Sequence, residues 1–299
     1  MNLSIIIINW NTHDLLGQCL RSIFANPPGS DFEIWVIDNG STDRSLEMLK
    51  ESFPSVKVIA NHENVGFARA NNQGMQQAEG EYFLLINSDT IVQPGAIDGM
   101  LHTAEENPEA GIVGCKLLNQ DGSIQESWAE FPTVASEILG RNFRKRTQVS
   151  SGEALYRVDW VGGACLLVRK EAVQQVGMLD ESYFMYSEEV DWCYRMKASG
   201  WNTYFLESVE IIHLGGGSAR RTSFDQLLRL YDSKLRFFKK NYGKWQARLL
   251  KSCLILVILS GIIWREISVF LKLQRDQDQR GRLQSQWQLI RRLWVGSLS

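Results

Sequence analysis

The chain has 299 residues, 44% of them hydrophobic and 22% charged, with a net charge of −2. That length fits one large α/β domain or two small ones, and the composition excludes a disordered, fibrous or collagen-like chain. The near-neutral total hides a division, because residues 1–219 carry a net −14 and residues 220–299 a net +12.

The N-terminus, MNLSIIIINWN, has no basic leader and too short an apolar run for a signal peptide, so its isoleucines read as a buried strand at Ser4–Asn9. Apolar residues at helical spacing predict a helix over Asp14–Ala25. The run FEIWVID predicts a strand at Phe32–Asp38, followed by a helix at Ser45–Phe53 and a strand at Val56–Ala60. A helix near Ala68–Ala78 and a strand at Tyr82–Asn87 come next. Strand and helix alternating at this spacing point to a mostly parallel, doubly wound sheet with helices on both faces. Ligands bind such sheets at the carboxyl ends of the strands, where Asp38 and Asp89 lie.

From Ala110 the pattern changes. GIVGCKLLNQDGSI predicts a hairpin with Asp121-Gly122 at its turn. Gly140–Arg157 is basic, weakly periodic and expected to be a mobile loop. Trp160–Val168 reads as a strand and Glu188–Ser199 as a helix with an acidic start. Thr203–Ser218 reads as one or two short strands and a glycine turn. Beyond Thr222 the chain is helical and basic. Its apolar run, Cys253–Trp264, is shorter than the roughly 20 residues that a spanning helix needs. Lys239, Lys240, Lys244, Arg248 and Lys251 precede that run, so a peripheral anchor on an anionic membrane is favoured over a buried packing helix, and a true span stays open as the third alternative. The five cysteines are scattered and odd in number, which argues against a disulfide framework and for a reducing compartment.

Five stretches carry chemistry. VIDNGSTD places Asp38 at a strand end, where its carboxylate could accept from a nucleobase N–H or merely cap a turn. NVGFARANNQG combines glycine with Arg69, a cation for a diphosphate or an ordinary surface residue. In NSD, Asp89 could bind a hard divalent cation that takes its remaining ligands from phosphate and water. FMYSEEVDWCYR brings Glu188, Glu189 and Asp191 into four positions at a helix start, among aromatics, where one could take a proton from a sugar hydroxyl. IIHLGGGSARR offers His213 as a metal or phosphate ligand and Arg220 and Arg221 as phosphate partners.

In this order, the motifs SIIIINWNT, VIDNGSTD, NVGFARANNQG, LLINSDT, the run from WVGGACLLV to MKASGW, and HLGGGS resemble the family 2 glycosyltransferases of GT-A fold, in the bacterial rhamnosyltransferase-like branch. The resemblance covers about residues 3–220. It implies a GT-A domain over residues 1–220, with a nucleotide-sugar half (1–110) and an acceptor half (111–220), followed by a basic helical region over 221–299. It also implies a donor site of Asn9, Asn11, Asp38, Asn39, Arg69, Asn87 and Arg220, with Asp89 and His213 at a divalent cation (Mg²⁺ or Mn²⁺). The family's catalytic base is the Asp of a Glu-Asp pair. Here the pair is Glu188-Glu189, so Glu189 stands at the base position, with Asp191 and Glu188 able to share the role.

Asn87 replaces the first aspartate of the family's metal motif. The implied reaction is inverting transfer from a nucleoside-diphosphate sugar to a saccharide or lipid-linked saccharide, at the cytoplasmic face of a membrane and with no nucleic-acid partner. The alternative is a non-catalytic binding relative, which the altered NSD and EE motifs would suit. A nucleotidyltransferase would want a glycine-rich basic loop after the first strand, and NWNTHDLLGQ lacks one.

Overall fold

The structure, a computed structural model, describes residues 1–140, 145–149, 154–215 and 224–270. Its first part alternates β1 (Leu3–Asn9), α1 (His13–Ala25), β2 (Phe32–Asp38), α2 (Ser45–Ser52), β3 (Lys57–Ala60), α3 (Phe67–Gln77), β4 (Tyr82–Asn87), β5 (Thr90–Val92) and α4 (Ala96–Glu106). Next come β6 (Ala110–Leu118), β7 (Ile124–Gln125), β8 (Trp128–Ala129), α5 (Val134–Leu139), β9 (Thr147–Gln148), β10 (Leu155–Val158) and β11 (Trp160–Val161). The series closes with β12 (Cys165–Arg169), α6 (Lys170–Val176), α7 (Glu188–Ala198), β13 (Asn202–His213), α8 (Phe224–Asn241) and α9 (Lys244–Phe270). Two compact units form: Met1–Phe131 with Phe143–Arg221, and Pro132–Asn142 with Thr222–Ser299.

In the first unit, eleven strands among the described residues form one sheet, in the order β3-β2-β1-β4-β12-β6-β13-β10-β9, with β5 beside β13 and β7 beside β6. The β3-β2-β1-β4 part is parallel, whereas β12 runs antiparallel between β4 and β6. The isoleucine run explains why both faces are covered. Side chains alternate along a strand, so Leu3, Ile5 and Ile7 enter one core with α1, α2 and α4 residues such as Leu20, Leu49 and Met100. Ile6 enters the other core, with Ala68 and Met75 of α3, Val173 of α6 and Trp192 of α7.

Three expectations change in detail. The segment expected as a loop over Gly140–Arg157 contains β9 and β10, and Leu155 and Val158 are buried where β10 pairs with β13. The expected strand Trp160–Val168 breaks at Gly162, whose N–H turns aside to Ser127 O, so β11 pairs with β8 and β12 joins the main sheet. Thr203–His213 lies in one long strand with a register irregularity between Leu206 and Glu210, while Gly216–Ser218 lie outside the described residues.

The second unit packs α5 and α8 with α9. Thr133 caps α5 through Ser136, and Lys234 of α8 pairs with Glu137 of α5. Gly243, at φ 89°, separates α8 from α9 in a conformation that glycine adopts without strain. Tyr242 stacks edge-on against Phe237 and Phe238.

Candidate active site

The chain leaves β1 toward β2 and β3 on one side and returns to β4 on the other, so a switch point opens between the carboxyl ends of β1 and β4. Ile8 pairs with Asn87 and Asn9 with Asp38 in register, which brings three strand ends into one row. A cavity of about 370 Å³ lies there, a size typical of small-ligand sites. Trp10, Thr12, Asn39 and Asn64 line one side; Asn87, Asp89, Gln125 and His213 line a second; Met185, Tyr186, Glu188 and Glu189 line a third.

Behind the first side runs a saturated network. Asp38 is fully buried. Its Oδ2 accepts from Asn9 Nδ2 at 2.8 Å and its Oδ1 from Ser41 N at 2.8 Å. The Thr12 hydroxyl donates to Asn9 Oδ1 at 2.6 Å, so at 2.9 Å it must accept from Ser88 Oγ. This chain of bonds ties the loop after β4 to the loops after β1 and β2. Asn11, at φ 54°, adds a clasp: its Oδ1 accepts from the N–H of Thr42 at 2.7 Å. Asn39 donates to Gly66 O at 3.2 Å, which links this side to the start of α3.

On the second side, His213 closes β13 opposite Thr90, and its Nε2 lies 3.2 Å from Asp89 Oδ1 and 3.5 Å from Asn87 Nδ2. Gln125 decides the state of that ring. Its Nε2 donates to His213 O at 2.7 Å and to Asn119 Oδ1 at 2.6 Å. Its Oε1 is therefore the atom that faces His213 Nδ1 at 2.9 Å, and Nδ1 carries the proton. In the neutral ring, Nε2 then presents a lone pair beside a carboxylate oxygen. Two acceptors that close, with the second ring nitrogen held by a hydrogen bond, are the donor set a divalent cation takes. Among the described residues no cluster of three or more His, Cys, Asp or Glu side chains could hold a metal. Two such ligands are too few for an all-protein cage, so a hard cation held by Asp89 and His213 would draw its other oxygens from phosphate and water.

The third side is the start of α7. Tyr186 and Ser187 both have positive φ, 74° and 65°, an uncommon conformation for residues with side chains. The preceding Phe184 is fixed by Phe67 N, which donates to Phe184 O at 2.7 Å across Gly66, where a Cβ would lie 2.6 Å from that oxygen. The turn swings the first residues of α7 into the cavity. Glu188 Oε2 and Glu189 Oε2 are buried and have no hydrogen-bond partner among the described residues. Burial, then the neighbouring Glu189 charge, pushes the Glu188 carboxyl well above its usual range. Burial also raises Glu189, against the pull of the N–H groups of Glu189 and Val190. The pair therefore holds a proton more readily than free carboxyls do.

Six of the residues singled out in the sequence thus line one cavity: Asn39, Asn87, Asp89, Glu188, Glu189 and His213. Five do not. Asn9 and Asp38 are spent on each other behind the wall, and Asn11 clasps two loops. Arg69 is exposed on α3, 3.9 Å from Glu181. Asp191 is fully buried and paired with Arg195 at 2.9 Å, because one position beyond Val190 the helix has turned it away. Arg220 lies outside the described residues. Gln125 and Trp10 join the site without having been singled out in the sequence, whereas Tyr186 belongs to the aromatic flank that marked the carboxylates at the start of α7 as a partly buried site.

A mixed α/β sheet with helices on both faces and a cavity at its switch point is the architecture of the GT-A fold, shared with the solved structures described below. The chain belongs to glycosyl transferase family 2, whose model matches residues 4–177, and within it to the rhamnosyltransferase-like branch. It is 30% identical over 234 residues, 71% of this chain and 76% of the other, to an N-acetylglucosaminyl-diphospho-decaprenol L-rhamnosyltransferase of Mycobacterium tuberculosis. It is 25% identical over 224 residues (70% and 82%) to the rhamnosyltransferase WbbL of Escherichia coli K12. In fold it is similar to the mannosyltransferase PcManGT from Pyrobaculum calidifontis, solved with GDP-Man and Mn²⁺. That match has a TM-score of 0.62 at 13% identity and covers 99% of this chain and 88% of that one. GalNAc-T7, solved with UDP, GalNAc and Mn²⁺, matches with a TM-score of 0.64 at 16% identity over 81% of this chain, which spans 49% of that one.

Proposed function

We propose that this glycosyltransferase moves a hexose, rhamnose or a relative, from a nucleoside-diphosphate sugar to a saccharide or lipid-linked saccharide, with inversion, in surface-polysaccharide synthesis. The observation that carries the reading is that Glu188 and Glu189 line the same cavity as Asp89 and His213, each with a buried oxygen that has no partner among the described residues. A buried carboxyl without a donor is costly, and a sugar hydroxyl supplies one.

Trp10, Thr12, Asn39 and Asn64 would receive the nucleotide, held in place by the Asp38 network behind them. Glu189 would take the proton from the acceptor hydroxyl as that oxygen bonds to the anomeric carbon and the bond to the departing diphosphate breaks. Glu188, kept neutral by its surroundings, would donate to a sugar oxygen. Asp89 and His213, oriented by Gln125, would hold a divalent cation, and Asn87 would contact the diphosphate beside it. A cation so bound supplies positive charge to the leaving diphosphate. The lipid-linked acceptor follows the activity named for the mycobacterial relative. The free thiols Cys19, Cys115, Cys165, Cys193 and Cys253 support a cytoplasmic site.

Turnover of a panel of UDP-, dTDP- and GDP-sugars, with and without EDTA, tests the reading. One donor should be consumed, and EDTA should stop it. No turnover of any donor with any saccharide acceptor would favour a binding role instead.

A further inference from the structure

The helix α9 is apolar on two sides, and among the described residues only one of them is packed. Ala247, Leu250 and Leu254 are buried, and α9 packs with α5 and α8 in the second unit. Trp245 is 80% exposed, Leu249 52% and Leu256 64%. At 3.6 residues per turn, these three fall within about 40° of one another and roughly opposite Ala247 and Leu254. They form one stripe along three turns. Scattered exposed leucines need no explanation, but a row of large apolar side chains aligned on one helix face does.

The flank of the stripe names the occupant. Lys244 and Arg248 are exposed along one edge, with Lys251 continuing the row, and the Arg248 guanidinium lies 5.2 Å from the Trp245 ring centre. No acidic residue occurs between Lys244 and Trp264. A second copy of this chain meeting this face symmetrically would bring the same cations against their like. A bilayer with anionic headgroups satisfies both features, with apolar side chains entering the acyl boundary and cations remaining at the phosphates. Tryptophan at the end of such a stripe suits the headgroup level. Among the described residues no helix is long and apolar enough to cross a membrane, so the contact is one of lying on the surface.

We infer that the Trp245–Leu249–Leu256 face of α9, flanked by Lys244, Arg248 and Lys251, is a docking surface for an anionic lipid bilayer. It is independent of the catalytic reading and would hold even if the donor were misassigned.

Co-sedimentation of the full chain with phosphatidylcholine vesicles, with or without phosphatidylglycerol, tests it. The chain should bind the anionic vesicles and release them at high salt, and bind neutral vesicles much more weakly. Leu249→Glu with Leu256→Glu should abolish binding. Lys244→Gln, Arg248→Gln and Lys251→Gln together should weaken it by roughly a hundredfold, from about 1 kcal/mol per surface cation. Because all these side chains except Lys251 are exposed, the variants should keep the parent's circular dichroism and melting temperature. Unchanged vesicle binding by the Leu249→Glu/Leu256→Glu chain overturns the proposal. So does a parent that ignores anionic vesicles, or one that elutes as a dimer which those substitutions split.

Discussion

At the carboxyl ends of β1 and β2, both oxygens of Asp38 have partners, whereas at the start of α7 Glu188 and Glu189 each keep a buried oxygen with none. Both regions hold carboxylates and face the same cavity. The first has a partner on each oxygen of Asp38, and its hydrogen bonds fix three loops before any ligand arrives. The second is incomplete among the described residues, and an incoming hydroxyl can supply the missing partner. A fully satisfied buried polar network rigidifies, while an unsatisfied group is costly until something binds. The contrast separates scaffold from chemistry more sharply than residue type does.

The largest effect should fall on the incomplete side. Glu189→Gln removes the base and should lower turnover about 10²–10⁴-fold, while donor affinity measured by calorimetry stays close to the parent's. Full turnover by that variant would erase the distinction between the two regions at its centre.

A smaller effect should come from the residue between them. Gln125→Leu frees the His213 ring, and loss of such an orienting partner typically costs 10–100-fold in metal affinity. Mn²⁺ binding followed by paramagnetic resonance should weaken accordingly, and the nitrogen shifts of His213 should report a mixed tautomer without any metal. An unaltered ring would mean that Gln125 merely fills the hairpin.

The smallest effects separate the two regions by the sign of their stability change. Asp38→Ala strips acceptors from Asn9 Nδ2 and Ser41 N and should cost about 1–3 kcal/mol, read as a lower melting temperature at neutral pH. Glu188→Gln should do the opposite. A carboxyl raised by folding costs nothing below its ordinary value of 4.5 and destabilises progressively as pH rises through its folded value. The variant should therefore match the parent in acid and exceed it at neutral pH. The acid limb of the parent's activity should lie above 4.5, because burial raises Glu189 and the base must be ionised. Equal melting shifts of one sign would show that both carboxylates are ordinary structural groups.

How far the sequence reaches follows from how local each signal is. Side-chain periodicity is a local property, so the first four strands and their helices were legible. The order of NSD, SEEVD and HLGG likewise pointed to Asp89, Glu189 and His213, all now in one cavity. The direction of a side chain across the chain is not local. Asp38 and Asp191 looked as chemical as their neighbours, yet one is closed off by Asn9 and Ser41 and the other by Arg195. Gln125 looked like nothing, and gains a role only because β7 folds back on β6 beside the end of β13.

The sequence by itself determined the class of fold, the family and the carboxylates worth suspecting, because these rest on periodicity and on the order of residues. Only the tertiary structure decided which carboxylates keep an oxygen free, which ring nitrogen of His213 carries the proton, and which face of α9 stays uncovered. Each depends on groups distant in sequence meeting or failing to meet, and hydrogen-bond satisfaction and burial exist only once they have.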